Sequence, residues 1–196
     1  LHEMLALVER VKKVAEGAAL MTDTQVSAKM FAAVSNHFEN LTMDRVMQEA
    51  LDELGGVPFD NQDRAYAARI QASLSPSDIA AEWSVINRPP SEAVLCDWVV
   101  PMRPGGAVLI GSTDVGDVTW KVPTTEVLVA TAAIGTPLHS WQMTAQGLSG
   151  AAHKGMTHAA KAMGRVAQIL MADPARLAEA KAEHASRLAL TPYVCP

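Results

Sequence analysis

The sequence predicts an α/β fold, and three observations predict it. Short apolar runs, Asp97-Trp98-Val99-Val100, Ala107-Val108-Leu109-Ile110 and Val127 to Ala133, have the length of strands. Stretches with apolar residues three and four positions apart stand on either side of them, as amphipathic helices do. The second run leads directly into a glycine-containing loop, Gly111-Ser112-Thr113-Asp114-Val115-Gly116-Asp117. Strands of doubly wound sheets deliver the chain to such loops at their C-terminal ends.

The elements follow in order. Leu1 to Ala19 carries Leu1, Leu5, Val8, Val11 and Val14 at helical spacing, with Gly17 as a C-terminal stop. Gln25 to Val34 alternates loosely through Val26, Ala28, Met30 and Ala32 and reads as a strand. Ser35 to Asn40 is polar and breaks it. Asn40 or Thr42 caps a helix with Met43, Val46, Met47, Ala50, Leu51 and Leu54 on one face, ended by Gly55-Gly56. Asp60 opens another through Leu74, its early carboxylates suiting the helix dipole. Ser75 to Pro90 reads as irregular, because Ser75-Pro76, Asn87 and Pro89-Pro90 interrupt it. Gly150 to Met171 is a long Ala-rich helix, and Pro174 to Leu188 a more polar one. The order is therefore α-β, then α-α, then β-β-β-α-α, with a mixed sheet flanked by helices.

Composition narrows the function classes. Apolar residues make up 49% of the 196 and charged residues 19%, an ordinary globular balance. A net charge of -5 without a basic stripe argues against a nucleic-acid partner. No apolar run reaches the roughly 20 residues of a membrane span, so no membrane partner is expected. Cys96 and Cys195 have no CxxC spacing, which fits reduced thiols in a cytoplasmic protein, with Cys96 a small core residue. The chain starts at Leu1 inside a helical pattern. The piece before Ser35, one helix and one strand, is too small to fold alone. Both features lead to the expectation of a fragment whose sheet is completed elsewhere.

The candidate chemistry sits in two loop segments. Asp114 and Asp117 follow a strand, where their carboxylates can ligate a metal, orient a metal-bound histidine or bind a cationic group. They can equally hydrogen-bond their own turn, as Asx residues beside Gly do. His139 lies in Gly135-Thr136-Pro137-Leu138-His139-Ser140-Trp141-Gln142, where Leu138 and Trp141 are expected to desolvate it and keep it neutral. One histidine and two carboxylates fall short of the three or four protein ligands of a zinc site. His153 and His158 are five apart, with no intervening Glu, so the HExxH pattern fails. Lys154 and His158 read as flanking a solvated face, and His184 as lacking a partner. Gly105-Gly106 lacks a phosphate-loop continuation, and Ser112 and Ser140 lack a GxSxG frame.

The run from Gly111 to Trp120, the segment Gly135 to Gln142, His153-Lys154-Gly155-Met156 and Pro192-Tyr193-Val194-Cys195-Pro196 together resemble the M20 metallopeptidases and related amidohydrolases. The resemblance runs over nearly the whole chain and includes Arg10 to Ala19. It implies that residues 1–38 are the C-terminal piece of a ferredoxin-like lid and dimerisation domain. Residues 39–196 would be the C-terminal part of a zinc-peptidase-like catalytic domain. It implies two divalent ions, zinc or manganese, that activate water to cleave an N-acyl amino acid amide, p-aminobenzoyl-glutamate-like or a short peptide. His139 takes the place of a metal ligand, while the other ligands and the Glu general base belong to an N-terminal half. Asp114, Asp117, Thr113 and Ser140 take supporting places near metal or substrate. The family's usual acidic dipeptide is here Thr113-Asp114, and Leu138 stands where relatives carry Gly. The lid implies a homodimer or pairing with a related subunit. A rival reading is a non-catalytic interaction or dimerisation protein derived from this family.

Overall fold

The computed structural model describes residues 2–102 and 113–195, and the predicted strand at 107–110 lies outside them. The described residues are helical, with eight helices: α1 (His2–Met21), α2 (Leu41–Leu54), α3 (Asn61–Gln71), α4 (Pro76–Ile86), α5 (Val115–Thr119), α6 (Trp141–Gln146), α7 (Gly150–Ala172) and α8 (Pro174–Leu190). No strand and no sheet occurs among them, which overturns the α/β class and its mixed sheet.

The apolar runs mark burial between helices instead of strand pairing. In the 127–133 segment Val127 joins the cluster on α2 and α7, while Val129 and Ala130 pack onto the cluster around Phe59, Ile70 and Leu95. Trp98 stacks on Trp83 of α4 with ring centroids 6.0 Å apart. The Ile134 N–H donates to the Val94 carbonyl at 2.9 Å, an isolated bond and not a ladder. The predicted strand of the lid, 25–34, forms no strand and is exposed along nearly its whole length, with Phe31 94% accessible. Alternation of apolar residues makes a strand only where a neighbour takes up its N–H and C=O groups.

The chain divides into two compact units, α8 contributing to both. The larger comprises described residues 40–102 and 125–180. In it α2 and α3 pack against α7. Met43, Val46, Met47 and Ala50 of α2 meet Ala162, Val166 and Ile169 of α7, with Ala180 of α8 closing the cluster. Asn40 is fully buried: its side chain caps α2 by accepting from the Met43 N–H at 3.0 Å and donates to the Ala180 carbonyl at 2.9 Å. Asp60 caps α3 in a reciprocal capping box with Asp63. Helix α4 replaces the irregular segment expected there. Ser75 caps it, Pro76 occupies the first turn, and Asn87 ends it at φ 56.

The smaller unit comprises described residues 2–39, 113–124 and 181–195. Phe38 stacks on Trp120 at 4.3 Å and meets His184 edge-on at 5.5 Å. Thr119, fully buried, accepts from the Phe38 N–H at 2.7 Å and donates to the Gly116 carbonyl at 2.6 Å. His184 is buried too, its Nε2 3.0 Å from the Thr119 carbonyl oxygen, and so is not the unpartnered residue its sequence suggests. Gly17 lies inside α1, which runs four residues past it to Met21. Among the described residues no helix is long and apolar enough to cross a membrane.

Candidate functional site

The segment carrying His139 belongs to the larger unit and is anchored at its start. Ala133, Ile134 and Gly135 are buried, and the Gln71 side-chain amide donates to the Ile134 carbonyl at 3.1 Å. Gly135 adopts φ +90, and a Cβ there would lie 2.7 Å from Ile79 Cα. Both the backbone conformation and the space therefore call for glycine. The chain then turns as the Thr136 N–H donates to the Ala133 carbonyl at 3.0 Å. Ser140 closes the turn: its hydroxyl donates to the Pro137 carbonyl at 2.7 Å and accepts from the Met143 N–H at 3.2 Å, capping α6. His139 is thus held on an exposed tip between a fixed turn and a capped helix. Leu138 and Trp141 are 77% and 65% accessible, so neither shields the imidazole as their sequence position suggests.

Thr113, Asp114 and Asp117 belong to the smaller unit, at the start of α5 and not at a sheet edge. The Thr113 hydroxyl accepts from the Val115 N–H at 3.3 Å and donates to Asp114 at 3.4 Å, a local turn. Asp114 is exposed and makes no side-chain cap. The Asp117 carboxylate accepts from the Ser35 N–H at 3.2 Å and from the Tyr193 hydroxyl at 2.9 Å. Ser35 and Tyr193 together hold this carboxyl below the usual range, and Asp117 pushes the Tyr193 phenol up. Lys121 Nζ sits 4.0 Å above the Tyr193 ring. The structure therefore gathers Thr113, Asp114 and Asp117 in one segment, and His139 and Ser140 in another.

α3, the end of α6 and the first turns of α7 form an open pocket of about 600 Å³ whose lining includes Tyr66, Arg69, Ala145, Leu148 and Lys154. Lys154 Nζ bridges Asp60 at 2.6 Å and the buried Asp63 at 2.5 Å. The Lys154 ammonium holds the Asp60 carboxyl at about 2, and Asp60 first, then Asp63, raises the lysine above its ordinary value. His158 is buried, with Nε2 3.0 Å from the Gly55 carbonyl oxygen. His158 therefore does not lie on a solvated face, whereas Lys154 stays partly exposed in the lining of the open pocket. Their partners lie about a hundred residues away in sequence, out of reach of any local pattern; Lys154 alone had a signal, the acidic capping box at Asp60 and Asp63. Cys96 is half-buried against Trp83 and Ile86, and its burial raises the thiol pKa. Among the described residues no three or more His, Cys, Asp or Glu side chains come together where they could hold a metal ion. His139 alone is one candidate ligand, short of a hydrolytic site.

No protein-family model matches the chain, and no solved structure does. One curated protein of Escherichia coli (strain K12), a subunit of p-aminobenzoyl-glutamate hydrolase, is 39% identical over 201 residues, which cover 97% of this chain. This chain is a homologue of that hydrolase subunit. The aligned region is the C-terminal part of the E. coli protein, and the chain spans 42% of its length. The resemblance carried by the Gly111 to Trp120 and Gly135 to Gln142 segments thus extends along nearly all of the sequence.

Proposed function

We propose that this chain forms the C-terminal portion of an M20-type, metal-dependent amidohydrolase. The carrying observation is the alignment of 97% of the chain with part of a hydrolase subunit named for p-aminobenzoyl-glutamate. The substrate is an N-acyl amino acid amide, p-aminobenzoyl-glutamate or a short peptide. His139 supplies one imidazole ligand from its exposed tip. Ser140 shapes that tip, and Thr113, Asp114 and Asp117 support the substrate side. The described residues do not fit a metal site by themselves, so the two divalent ions, zinc or manganese, take their other ligands and the general base from residues outside this chain. The protein is cytoplasmic. Residues 1–38 act as the lid piece that pairs two copies or joins a related subunit, in keeping with the relative's designation as a subunit.

Hydrolysis of p-aminobenzoyl-glutamate and bound metal, measured on the 196-residue chain and on the product of the complete reading frame that contains it, tests this reading. The chain alone should bind less than one tightly held ion and release no p-aminobenzoate. The complete product should do both. Hydrolysis by the isolated chain would overturn the division of the site. A complete product without metal or hydrolysis would leave the non-catalytic pairing protein as the better account.

A further inference from the structure

The His139 loop is closed from beneath by one buried side chain that no sequence pattern singled out. Gln146, at the end of α6, is 2% accessible. Its Oε1 accepts from the Ala133 N–H at 2.8 Å. Its Nε2 donates to Thr136 Oγ1 at 3.1 Å and to the Gln142 carbonyl at 3.1 Å. The Thr136 hydroxyl in turn donates to the Ala133 carbonyl at 2.7 Å. These partners fix the orientation of the carboxamide. A backbone N–H requires the oxygen at Ala133, and a backbone carbonyl requires the nitrogen at Gln142. One side chain thus binds the chain before and after the exposed tip, spanning Ala133 to Gln142. Within the tip the side-chain bonds are those of Ser140, to the Pro137 carbonyl and from the Met143 N–H, while among the described residues the His139 imidazole forms none.

We propose that Gln146 is the positioning residue of the His139 loop: its carboxamide sets the backbone from which the imidazole is presented. The proposal rests on His139 being a functional group, and it names the device that orients it. An apolar side chain of the same length would fill the space around Gln146, so what its polar end contributes is geometry. A buried group with three satisfied bonds of one fixed polarity specifies a single loop conformation.

The test uses the 196-residue chain with Gln146→Met, which keeps the length and apolar stem and removes all three bonds. Val166→Ala, in the α2–α7 core, is the control for general loss of stability. Two readouts are taken: the ¹H–¹³C resonances of the His139 imidazole and the hydrogen exchange of the Ala133 amide. Gln146→Met should split or broaden the His139 signals and speed Ala133 exchange at least tenfold relative to amides in α2, whereas Val166→Ala should leave the His139 signals unchanged. Thr136→Val keeps the Gln146 side chain but removes the hydroxyl that accepts from it, and should give the same His139 signature, which keeps the test informative if Gln146→Met fails to fold. A His139 spectrum unchanged in both loop variants overturns the proposal. His139→Ala in the complete product tests the metal reading separately: retained metal there removes the ligand role while leaving the loop result standing.

Discussion

Two glycines on α7, Gly155 and Gly164, should respond to alanine with opposite signs. Glycine inside a helix is disfavoured by roughly 1 kcal/mol relative to alanine, so each substitution starts with that gain. At Gly164 a Cβ would meet nothing within 4 Å, and the gain should appear nearly whole, about 0.5–1 kcal/mol of added stability. At Gly155 a Cβ would lie 2.2 Å from the Ala130 carbonyl oxygen and 2.7 Å from Thr131 Cγ2. An ordinary carbon–oxygen contact is roughly 3.3 Å, so α7 or the 130 segment must retreat by about 1 Å. Neither is free to do so: on α7 Lys154 is tied to Asp60 and Asp63 and His158 to Gly55, while Val129 and Ala130 are packed on the Phe59, Ile70 and Leu95 cluster and the Ala133 N–H is bound by Gln146. Overpacking against backbone costs about 1–3 kcal/mol, and here the upper half applies because the first atom struck is a carbonyl. Net of the helix gain, Gly155→Ala should lose about 1–2 kcal/mol, so the two variants differ by roughly 1.5–3 kcal/mol. Urea unfolding followed by far-ultraviolet circular dichroism measures both, the midpoint moving up for Gly164→Ala and down for Gly155→Ala. Equal shifts, or a Gly155→Ala protein as stable as the parent, would refute the close packing of α7 on the 130 segment.

Three further outcomes follow from the same structure. The Asp60 carboxyl is depressed from 3.8 to about 2, mainly by Lys154, so its contribution to stability is complete above about pH 4 and disappears as pH falls towards 2. Lys154→Met should therefore lower stability at neutral pH and flatten the acid limb in that window, read as Tm against pH; an unchanged acid limb would count against the bridge. Asn40→Ala removes the α2 cap and leaves the Ala180 carbonyl without its donor, with an expected loss of about 1–3 kcal/mol in urea unfolding. Asn40→Asp keeps the cap oxygen but buries a carboxylate against the Ala180 carbonyl, and should be at least as destabilising as alanine at neutral pH. Tyr193→Phe deletes the hydroxyl that Asp117 accepts from. The Asp117 carboxyl should then titrate closer to the usual range by ¹³C NMR, and no change would show the contact to be weak in solution.

The helices whose signals are local were legible. Asn40 and Asp60 cap α2 and α3 as their residue types suggest, and α7 and α8 start within a residue of their sequence expectation. Helix α4 was hidden by its own punctuation: Ser75-Pro76 is a start signal as well as a breaker, and the prolines past its end made the whole segment read as irregular. The strands misled because an apolar run records burial and says nothing about a pairing partner. In the 127–133 segment that burial comes from helices. At the site, the sequence located the two loops but not what fixes them. Gln146 reads as an ordinary polar residue at the end of a short helix, and its role arises from contacts with Ala133 and Thr136 that only the fold creates. The burial of His158 and His184 was hidden for the same reason, since each bonds a carbonyl 103 or 65 residues away in the chain.

We propose His139 as a metal ligand in a hydrolysis that residues outside this chain complete. Metal content and p-aminobenzoyl-glutamate hydrolysis of the complete reading frame's product, parent against His139→Ala, test it most directly. The variant should lose at least one bound ion per chain, and its hydrolysis should fall by at least a hundredfold. A variant that keeps both its full metal content and its rate would contradict the claim.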